Sequence, residues 1–354
     1  MNYLKSDKAR SICVQAALRR GVSAEHAHWF AHALIETSLT GVDTHGLRLL
    51  PLYLRELDEG RSNAAPEFKV LRRRGGIATL DADRALGTVA GTHAARLAAD
   101  LAAEHGIGAV AVGNSNHFGA AAVYGREIAA RGMAALVTTS AAARMAPFNG
   151  KRPMFGTNPV CFAAPAGEGR NFVLDMATSQ ISYSQIKHYR KNGIRLPLGW
   201  VLDQHGDYTE SPDEVVSLAP LGGYKGQGLA MMVQILSCVL SGMPLDHELE
   251  HLDTGRFDTG RQIGHFMIAI DVGAFIEPAR FQSEVARLMD AVRATPARDG
   301  QQVLVAGDPQ ERIRATRLSD GIPASDEETE VLLREAKHLN LPELNELLHL
   351  TEEA

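Results

Sequence analysis

The sequence has few aromatic residues and no excess of positive charge. Only 6% of its 354 residues are aromatic, and 36 lysines and arginines stand against 42 aspartates and glutamates. The formal net charge is therefore −6, and the pI is about 6.2. General nucleic-acid-binding domains usually have a pI above ~9, so the composition excludes that class.

The sequence also has few cysteines and no long apolar run. Cys13, Cys161 and Cys238 are far apart, and no CxxC motif includes any of them. This spacing predicts reduced thiols in a cytoplasmic protein. The N-terminal residues lack the apolar core of a signal peptide. The longest apolar run, 229–243, is interrupted by polar residues and is shorter than the ~18–20 residues that span a bilayer.

What is present is an ordinary globular composition, with 45% apolar residues and 33 glycines. Helical periodicity is found at 24–38, and a second helix is predicted near 49–57. From about residue 75, short apolar runs alternate with alanine-rich helical stretches. We predict strands at 77–80, 107–112, 134–139, 160–164, 172–175 and 265–271, and helices at 87–105, 120–131, 229–240, 283–294 and 326–348. This β-α-β alternation predicts an α/β core.

Two common nucleotide motifs are absent. No G-x-G-x-x-G sequence follows a predicted strand, and the nearest run, Gly223–Gly228, has its glycines in the wrong order. No Walker A sequence occurs either. The ordinary Rossmann and P-loop classes therefore have no support.

Residues 43–48, Asp-Thr-His-Gly-Leu-Arg, bring a carboxylate, an imidazole and a guanidinium together near a helix start. The Arg48 side chain can grip a carboxylate through two hydrogen bonds. His45 can transfer a proton near neutral pH, and Asp43 could fix its tautomer. The alternative is a helix-capping Asp43 with His45 and Arg48 at the surface.

Two further segments are candidates for ligand binding. Residues 114–119, Asn-Ser-Asn-His-Phe-Gly, follow a buried strand and precede a helix, where α/β proteins bind ligands and anions. Lys225 stands among glycines before an apolar helix and could contact a phosphate. The alternatives are a polar turn for His117 and a solvent-facing loop for Lys225. The HELEH sequence at 247–251 fits the zincin pattern, but Pro244 and the Asp-Thr-Gly at 253–255 leave no long helix, so we predict an acidic loop without a metal.

Seven segments in order resemble one family. They are DTHGLRLLPLYLRELDEG (43–60), GNSNHFGAAAVYG (113–125), FGTNPVCFAAP (155–165), LDMATS (174–179), LPLGWVLDQHG (196–206), PLGGYKGQGLA (220–230) and GHFMIAID (264–271). Together they are similar to the malate/L-lactate dehydrogenase family of NAD(P)-dependent oxidoreductases, which lack a standard Rossmann fold. That family includes L-sulfolactate and ureidoglycolate dehydrogenases, a diketogulonate reductase and cyclic-imine carboxylate reductases.

The resemblance implies a fold and an organisation. We expect a non-Rossmann α/β core with a mixed sheet and helices on both faces, flanked by helical segments. The expected divisions are a helical segment at 1–75 that contributes to the substrate site, a core with the cofactor region at 76–299, and a helical segment at 300–354. The resemblance also implies a homodimer with active sites near the subunit interface.

The resemblance further implies roles for single residues. His45 matches a histidine treated as proton donor in some members, and His117 one with the acid/base role in others; we favour His45 as the donor. Arg48 matches the residue expected to bind the substrate carboxylate. Contacts to NAD or NADP are expected at Ser140, Asp175, Met176, Ala177, Tyr224, Lys225 and the segment that contains Gly307 and Asp308. The implied reaction is hydride transfer between nicotinamide and the α carbon of a small 2-oxo or 2-hydroxy acid.

The sequence departs from the family pattern in two places. After DMATS the family often has an A-x-G-K run, and here Ser182–Gln185 reads Ser-Tyr-Ser-Gln; where the family often reads Pro-Gly-Glu, residues 307–309 are Gly-Asp-Pro. Two alternatives therefore stay open. The protein could reduce the C=N bond of a cyclic imine acid, or it could be a degenerate relative that binds a ligand without turnover.

Overall fold

A computed structural model describes residues 2–252 and 254–339. The helices are α1 (Ser6–Arg19), α2 (Ala24–Leu39), α3 (Leu50–Asp58), α4 (Gly87–His105), α5 (Ala121–Ala129), α6 (Tyr183–Lys191), α7 (Tyr224–Gln234), α8 (Pro278–Arg293), α9 (Asp308–Asp320) and α10 (Asp326–His338). The strands are β1 (Asn2–Leu4), β2 (Lys69–Arg74), β3 (Ile77–Asp81), β4 (Ile107–Ser115), β5 (Ala134–Thr139), β6 (Val160–Pro165), β7 (Asn171–Met176), β8 (Val201–Leu202), β9 (Ser217–Leu218), β10 (Ile263–Ile270) and β11 (Ile322–Ala324).

The centre of the molecule is a seven-stranded mixed sheet. Its strand order is β2-β3-β4-β10-β5-β6-β7. Only β3 and β4 are parallel neighbours; the other neighbouring pairs are antiparallel. The carboxyl ends of β4, β5 and β7 therefore lie at the same edge as the amino ends of β6 and β10. The predicted mixed α/β core without a Rossmann sheet is confirmed.

Helices cover both faces of this sheet. On one face, α4 approaches β4 closely, because its inward side carries small residues such as Ala98 and Ala102, which are completely buried. Gly108 of β4 faces this helix, and α5 packs beside it against β5 and β6. On the other face, α8 packs on β6, and the π-helical turn Ile235–Val239 that continues α7 packs on β10.

A second hydrophobic core joins the two ends of the described chain. Helices α1, α2, α3 and α10 bury an aliphatic cluster around Phe30 and Leu34. Strands β1 and β11 pair antiparallel beside it. This layer holds the loop 43–49 between α2 and α3 against the edge of the central sheet. Among the described residues, no helix is long and apolar enough to cross a membrane.

Most predicted elements are present, with shifted ends. The helix at 87–105 and the strand at 134–139 have the predicted bounds, whereas β4 continues three residues beyond the predicted end. The helix predicted at 229–240 begins earlier, at Tyr224, and changes to a π-helical turn at Ile235. The predicted helix 326–348 is described only to His338, and residues 340–348 lie outside the described part. Elements that the patterns did not predict include α1, α6, α9 and the edge strand β2.

Candidate active site

A cavity of about 780 Å³ opens at the sheet edge where β4, β5 and β7 end. Its walls come from the C-terminal end of α2 and the loop after it, the start of α5, the ends of β5 and β7, residues 250–252, Arg261 and Ile263, and the start of α9. α/β proteins commonly bind ligands at the carboxyl ends of their strands. The polar run after β4 therefore lies where the sequence predicts a ligand site.

His45 and His117 meet in this cavity. Their ring centroids are 5.7 Å apart, and both rings line the wall. The Thr44 hydroxyl lies 2.8 Å from Nδ1 of His45. The hydroxyl of Tyr53, which is completely buried on α3, lies 2.7 Å from Nδ1 of His117. Each imidazole therefore has Nδ1 engaged by a neighbouring hydroxyl, and Nε2 is the nitrogen left for a ligand.

Burial lowers the pKa of both histidines. Desolvation lowers the pKa of His45 below 6.5. The pKa of His117 is lowered well below that value, first by desolvation and then by the positive charges of His45 and Arg261. Both lowered pKa values favour the neutral form of the rings near neutral pH.

The structure places the remaining charged groups of the 43–48 motif elsewhere. The Asp43 carboxylate pairs with Arg317 of α9, with one N–O distance of 3.0 Å, and so does not orient His45. Arg48 does not line the cavity. Its side chain is 59% exposed and lies 3.7 Å from the Glu328 carboxylate. The predicted role of Arg48 as a carboxylate anchor stays a prediction.

Arg261 lines the cavity, and its guanidinium charge acts on His117. It is almost completely buried, and its Nε donates to Glu56 at 2.9 Å. Its backbone N–H donates to Oδ1 of Asn116, the residue before His117, at 3.0 Å. Glu56 also faces Arg61 at 3.6 Å. The other two guanidinium nitrogens of Arg261 donate to the backbone carbonyls of His251, at 3.1 Å, and Leu252. Arg261 is therefore held on several sides while it lines the cavity.

Most of the predicted cofactor residues line the same cavity. Ser140, Asp175, Met176 and Ala177 are all part of its wall. Asp175 accepts a hydrogen bond from the Ala122 N–H at 2.8 Å. Desolvation nonetheless raises the pKa of Asp175 to about 6, against the opposing effects of that bond and of Arg126.

Two helix starts open into the cavity. α5 begins after Gly119 and Ala120, and the Asp175 carboxylate occupies the Ala122 N–H in its first turn. α9 begins after Gly307, whose φ of 98° favours glycine; the Asp308 N–H donates to the Val305 carbonyl at 3.0 Å, and Pro309 has no N–H. Gly307 lines the cavity, whereas Asp308 pairs with Arg293 at 2.7 Å and accepts from the Val305 N–H at 2.9 Å. Asp308 therefore holds the loop in place instead of facing the cavity.

Tyr224 and Lys225 are not part of the cavity wall. They form the first turn of α7, and Tyr224 is 65% exposed, with its ring centroid 6.3 Å from that of Phe148. The HELEH sequence also lacks a long helix. Asp246–Glu248 forms a single 3-10 turn, and the metal-free acidic loop predicted there stays a prediction.

The cavity fits a nicotinamide dinucleotide. The positive ends of helix dipoles favour an anionic group such as a diphosphate, and the starts of α5 and α9 both reach this one cavity. The small side chains of Ala120, Ala121 and Ala122 leave room for close approach. Two buried histidines beside such a space fit one class of protein, the nicotinamide-dependent oxidoreductases.

Comparison with known proteins gives the family. The model of the malate/L-lactate dehydrogenase family matches residues 4–333. Malate dehydrogenase of Pyrococcus abyssi is 33% identical over 335 residues, which cover 91% of each chain. The structure of sulfolactate dehydrogenase from Methanocaldococcus jannaschii superposes with a TM-score of 0.90 at 29% identity, covering 97% of this chain and 99% of that one. A Δ1-piperideine-2-carboxylate reductase structure from Pseudomonas syringae gives a TM-score of 0.82 at 27% identity, covering 95% and 100%.

The chain belongs to the malate/L-lactate dehydrogenase family. It is an NAD(P)-dependent dehydrogenase, and the resemblance drawn from the sequence is confirmed.

The sequence did not reveal Arg261 or Arg144 as cavity residues, or Tyr53 as the buried partner of His117. Tyr53 belongs to the apolar side of α3 and reads as a core residue. Arg261 precedes β10, and its place beside His117 depends on the antiparallel pairing of β10 with β4, in which Ile263 faces Ser115. The sequence signal for Arg261 was a polar segment just before a predicted strand. Periodicity alone does not give the direction of that strand in the sheet, so the segment could not be placed beside His117.

Proposed function

We propose that this protein transfers a hydride between a nicotinamide and the α carbon of a small 2-oxo or 2-hydroxy acid, with His45 as the proton donor. The observation that carries the proposal is the pair of buried imidazoles, 5.7 Å apart, in a cavity that the starts of α5 and α9 also reach. His117 is proposed to lie close to the reacting oxygen. The proposal thus assigns roles in the dehydrogenase reaction to these two residues.

The chain's own groups bind the acid and move the proton. Arg261 offers a guanidinium beside His117 in the cavity wall, and a substrate carboxylate would bind it in addition to Glu56. Nε2 of His45 would donate a proton to the substrate oxygen in reduction and accept it in oxidation. Tyr53 and Thr44 hold the two rings in place through Nδ1. A bound nicotinamide dinucleotide supplies or accepts the hydride.

The cofactor is proposed to lie along the wall formed by Ser140 and residues 175–177. The starts of α5 and α9 would face its diphosphate with the positive ends of their helix dipoles. Both NAD and NADP are candidates.

Tyr224 and Lys225 are proposed to reach the cavity of a second copy of the chain. The exposed side of α7 and the π-helical turn is apolar: Met231 is 47% exposed, Ile235 53% and Val239 59%. Apolar surface that continues over two turns of helix is typical of a protein interface. We propose that this surface forms a homodimer and carries Tyr224 and Lys225 to the neighbouring site. We also propose that the protein is cytoplasmic, as the sequence predicts.

A screen of the purified protein tests the proposed function. NADH and NADPH are each offered with a panel of 2-oxo acids, and the loss of reduced-cofactor absorbance is followed. We expect turnover of at least one 2-oxo acid. Arg261→Lys and Arg48→Ala then show which guanidinium binds the carboxylate, because loss of that anchor raises KM for the acid. No turnover with either cofactor, although both bind, would contradict the proposal.

A second candidate reaction is reduction of a cyclic imine acid, favoured by the structural similarity to the piperideine carboxylate reductase. Imines protonate readily, so His45 would matter less for them. Comparing His45→Ala on an oxo acid and on a cyclic imine acid separates the two reactions, since an imine reductase should lose less activity on its imine.

A further inference from the structure

The turn that carries His45 is docked on the last turn of α2. Asp43–His45 forms a single 3-10 turn. Ser38 of α2 is almost completely buried, and its hydroxyl accepts a hydrogen bond from the Leu47 N–H at 2.9 Å. A Cβ added to Gly46 would lie 2.1 Å from that hydroxyl oxygen, so glycine is what lets the turn come this close. The backbone around His45 therefore lies directly on α2.

Arg317, in the last turn of α9, binds both pieces of this backbone. Its Nη1 donates to the Ser38 carbonyl and to Oδ1 of Asp43, and its Nη2 donates to Oδ2 of Asp43 at 3.0 Å. Two hydrogen bonds between one guanidinium and one carboxylate fix direction as well as distance. Arg317 thus joins the first residue of the His45 turn to the end of α2.

The geometry of this contact distinguishes it from a second ion pair on α9. Arg314, one turn earlier, meets Glu36 of α2 through a single N–O distance of 3.3 Å. Glu36 is also bound by Arg10 at 3.0 Å. Ion pairs near the surface contribute little unless their geometry is bidentate or part of a network. Of these two pairs on α9, the Arg317 contact is therefore the one expected to fix a position.

The helix that carries Arg317 reaches the cavity with its other end. Gly307 and Pro309, at the start of α9, line the wall. Within α9, which the structure describes from end to end, no residue is buried, and the flanking Gly307 and Gly321 both have positive φ values, 98° and 96°. No apolar side of its own fixes the helix, so polar contacts such as that of Arg317 hold it in place. α9 therefore extends from the cavity wall to the His45 turn.

We propose that Arg317 is a positioning residue for the reaction, because its contacts with Asp43 and Ser38 keep the His45 turn at the cavity wall. The inference rests on the proposed role of His45 as the proton donor. Nδ1 of the His45 ring faces Thr44, so Arg317 acts on the backbone of the turn and not on the tautomer of the ring. Since a displacement of about 1 Å costs on the order of 10²-fold in rate, loss of Arg317 lowers kcat.

Kinetics of Arg317→Gln with the best acid from the screen test the inference. We expect kcat to fall about 10- to 100-fold, with little change in KM for the cofactor. Arg317→Lys should keep part of the rate, since an ammonium still reaches one carboxylate oxygen. Asp43→Ala should lose a similar amount, because it removes the other side of the same contact. Arg314→Gln is the matched control on the same helix and should keep the wild-type kcat, because Arg10 still binds Glu36.

The pKa of His45, measured by NMR titration of its Cε1 proton, tests the inference without turnover. His45→Gln identifies the resonance. Burial lowers this pKa below 6.5, so a turn that leaves the cavity wall should bring it back toward 6.5. Arg317→Gln and Asp43→Ala change the local charge in opposite directions, yet both should raise the pKa of His45. Charge alone would raise the pKa in Arg317→Gln and lower it in Asp43→Ala.

Three results would overturn the inference. They are a wild-type kcat in Arg317→Gln, a loss in Arg314→Gln as large as that in Arg317→Gln, and a fall of the His45 pKa in Asp43→Ala. If no oxo acid is turned over, or if His45→Gln keeps the wild-type rate, the proposed function fails, and the NMR titration still tests Arg317. An unchanged His45 pKa in both variants would then refute the positioning role. Circular dichroism checks folding, and Arg317→Lys with Asp43→Ala carries the test if Arg317→Gln does not fold.

Discussion

At the scale of single residues, the environment of the two histidines decides their chemistry. Thr44 and Tyr53 occupy Nδ1 of His45 and His117, and burial disfavours the charged form of each ring. A neutral imidazole is the form that accepts a proton, and a protonated one is the form that donates it. The same pair can therefore serve both directions of the reaction at different pH.

The lowered pKa values predict opposite pH profiles for the two directions. Reduction needs the protonated donor, so its kcat/KM should rise as the pH falls from about 8 toward the lowered pKa of the pair. Oxidation needs the neutral ring, so its kcat/KM should persist through pH 6.5, the ordinary value, and decline only below it. Initial rates measured in both directions across this range provide the check. A reduction rate that rises with pH above neutrality would contradict the assignment.

Sequence reasoning found His45 and His117 because each stands in a short polar motif beside a predicted element. It missed Arg261 and Tyr53, because their roles arise from contacts between distant segments. Tyr53 reaches His117 across 64 positions of the chain, and Arg261 reaches Glu56 across 205. Arg48 was found in the same motif as His45, but the motif could not reveal that its side chain lies beside the Glu328 carboxylate.

At the scale of elements, α4 approaches β4 closely at Gly108. A Cβ added to Gly108 would lie 1.9 Å from the Ala98 carbonyl oxygen and 2.7 Å from the Ala102 nitrogen. Backbone atoms of a buried helix cannot move aside locally, so the helix would have to shift from the sheet. The strand and helix themselves were predictable from periodicity, but this contact was not.

Gly108→Ala should therefore destabilise the fold by about 1–3 kcal/mol or more through overpacking. Urea unfolding followed by circular dichroism measures the change. Gly228→Ala is the control, because no atom lies within 4 Å of the added Cβ, and alanine in a helix should be neutral or slightly stabilising. Equal unfolding midpoints for Gly108→Ala and wild type would show that the contact is relieved without cost.

At the scale of the whole molecule, the proposed roles of Tyr224 and Lys225 depend on the proposed dimer. Neither residue lines the cavity described in this chain, so the proposal places them at the cavity of a second copy. No pattern in one sequence gives this arrangement directly; the resemblance implied a homodimer, and the exposed residues suggest where it forms.

Ile235→Asp should convert the dimer to a monomer, because a charge would then be buried at the centre of the apolar surface. Size-exclusion chromatography with light scattering gives the mass, and activity should fall in the monomer. Leu288→Asp serves as the control, since Leu288 is 65% exposed on α8, outside that surface. The dimer proposal would be wrong if wild type is monomeric or if Ile235→Asp remains dimeric.

The most direct test of the central claim is a kinetic comparison of wild type with His45→Gln and His117→Gln, using the best oxo acid from the screen. Cofactor binding, followed by nicotinamide fluorescence, should survive both substitutions. The account predicts a loss of kcat of about 10²–10⁴-fold for His45→Gln, and a clear loss for His117→Gln. Wild-type rates in both variants would contradict the claim that this histidine pair performs the chemistry.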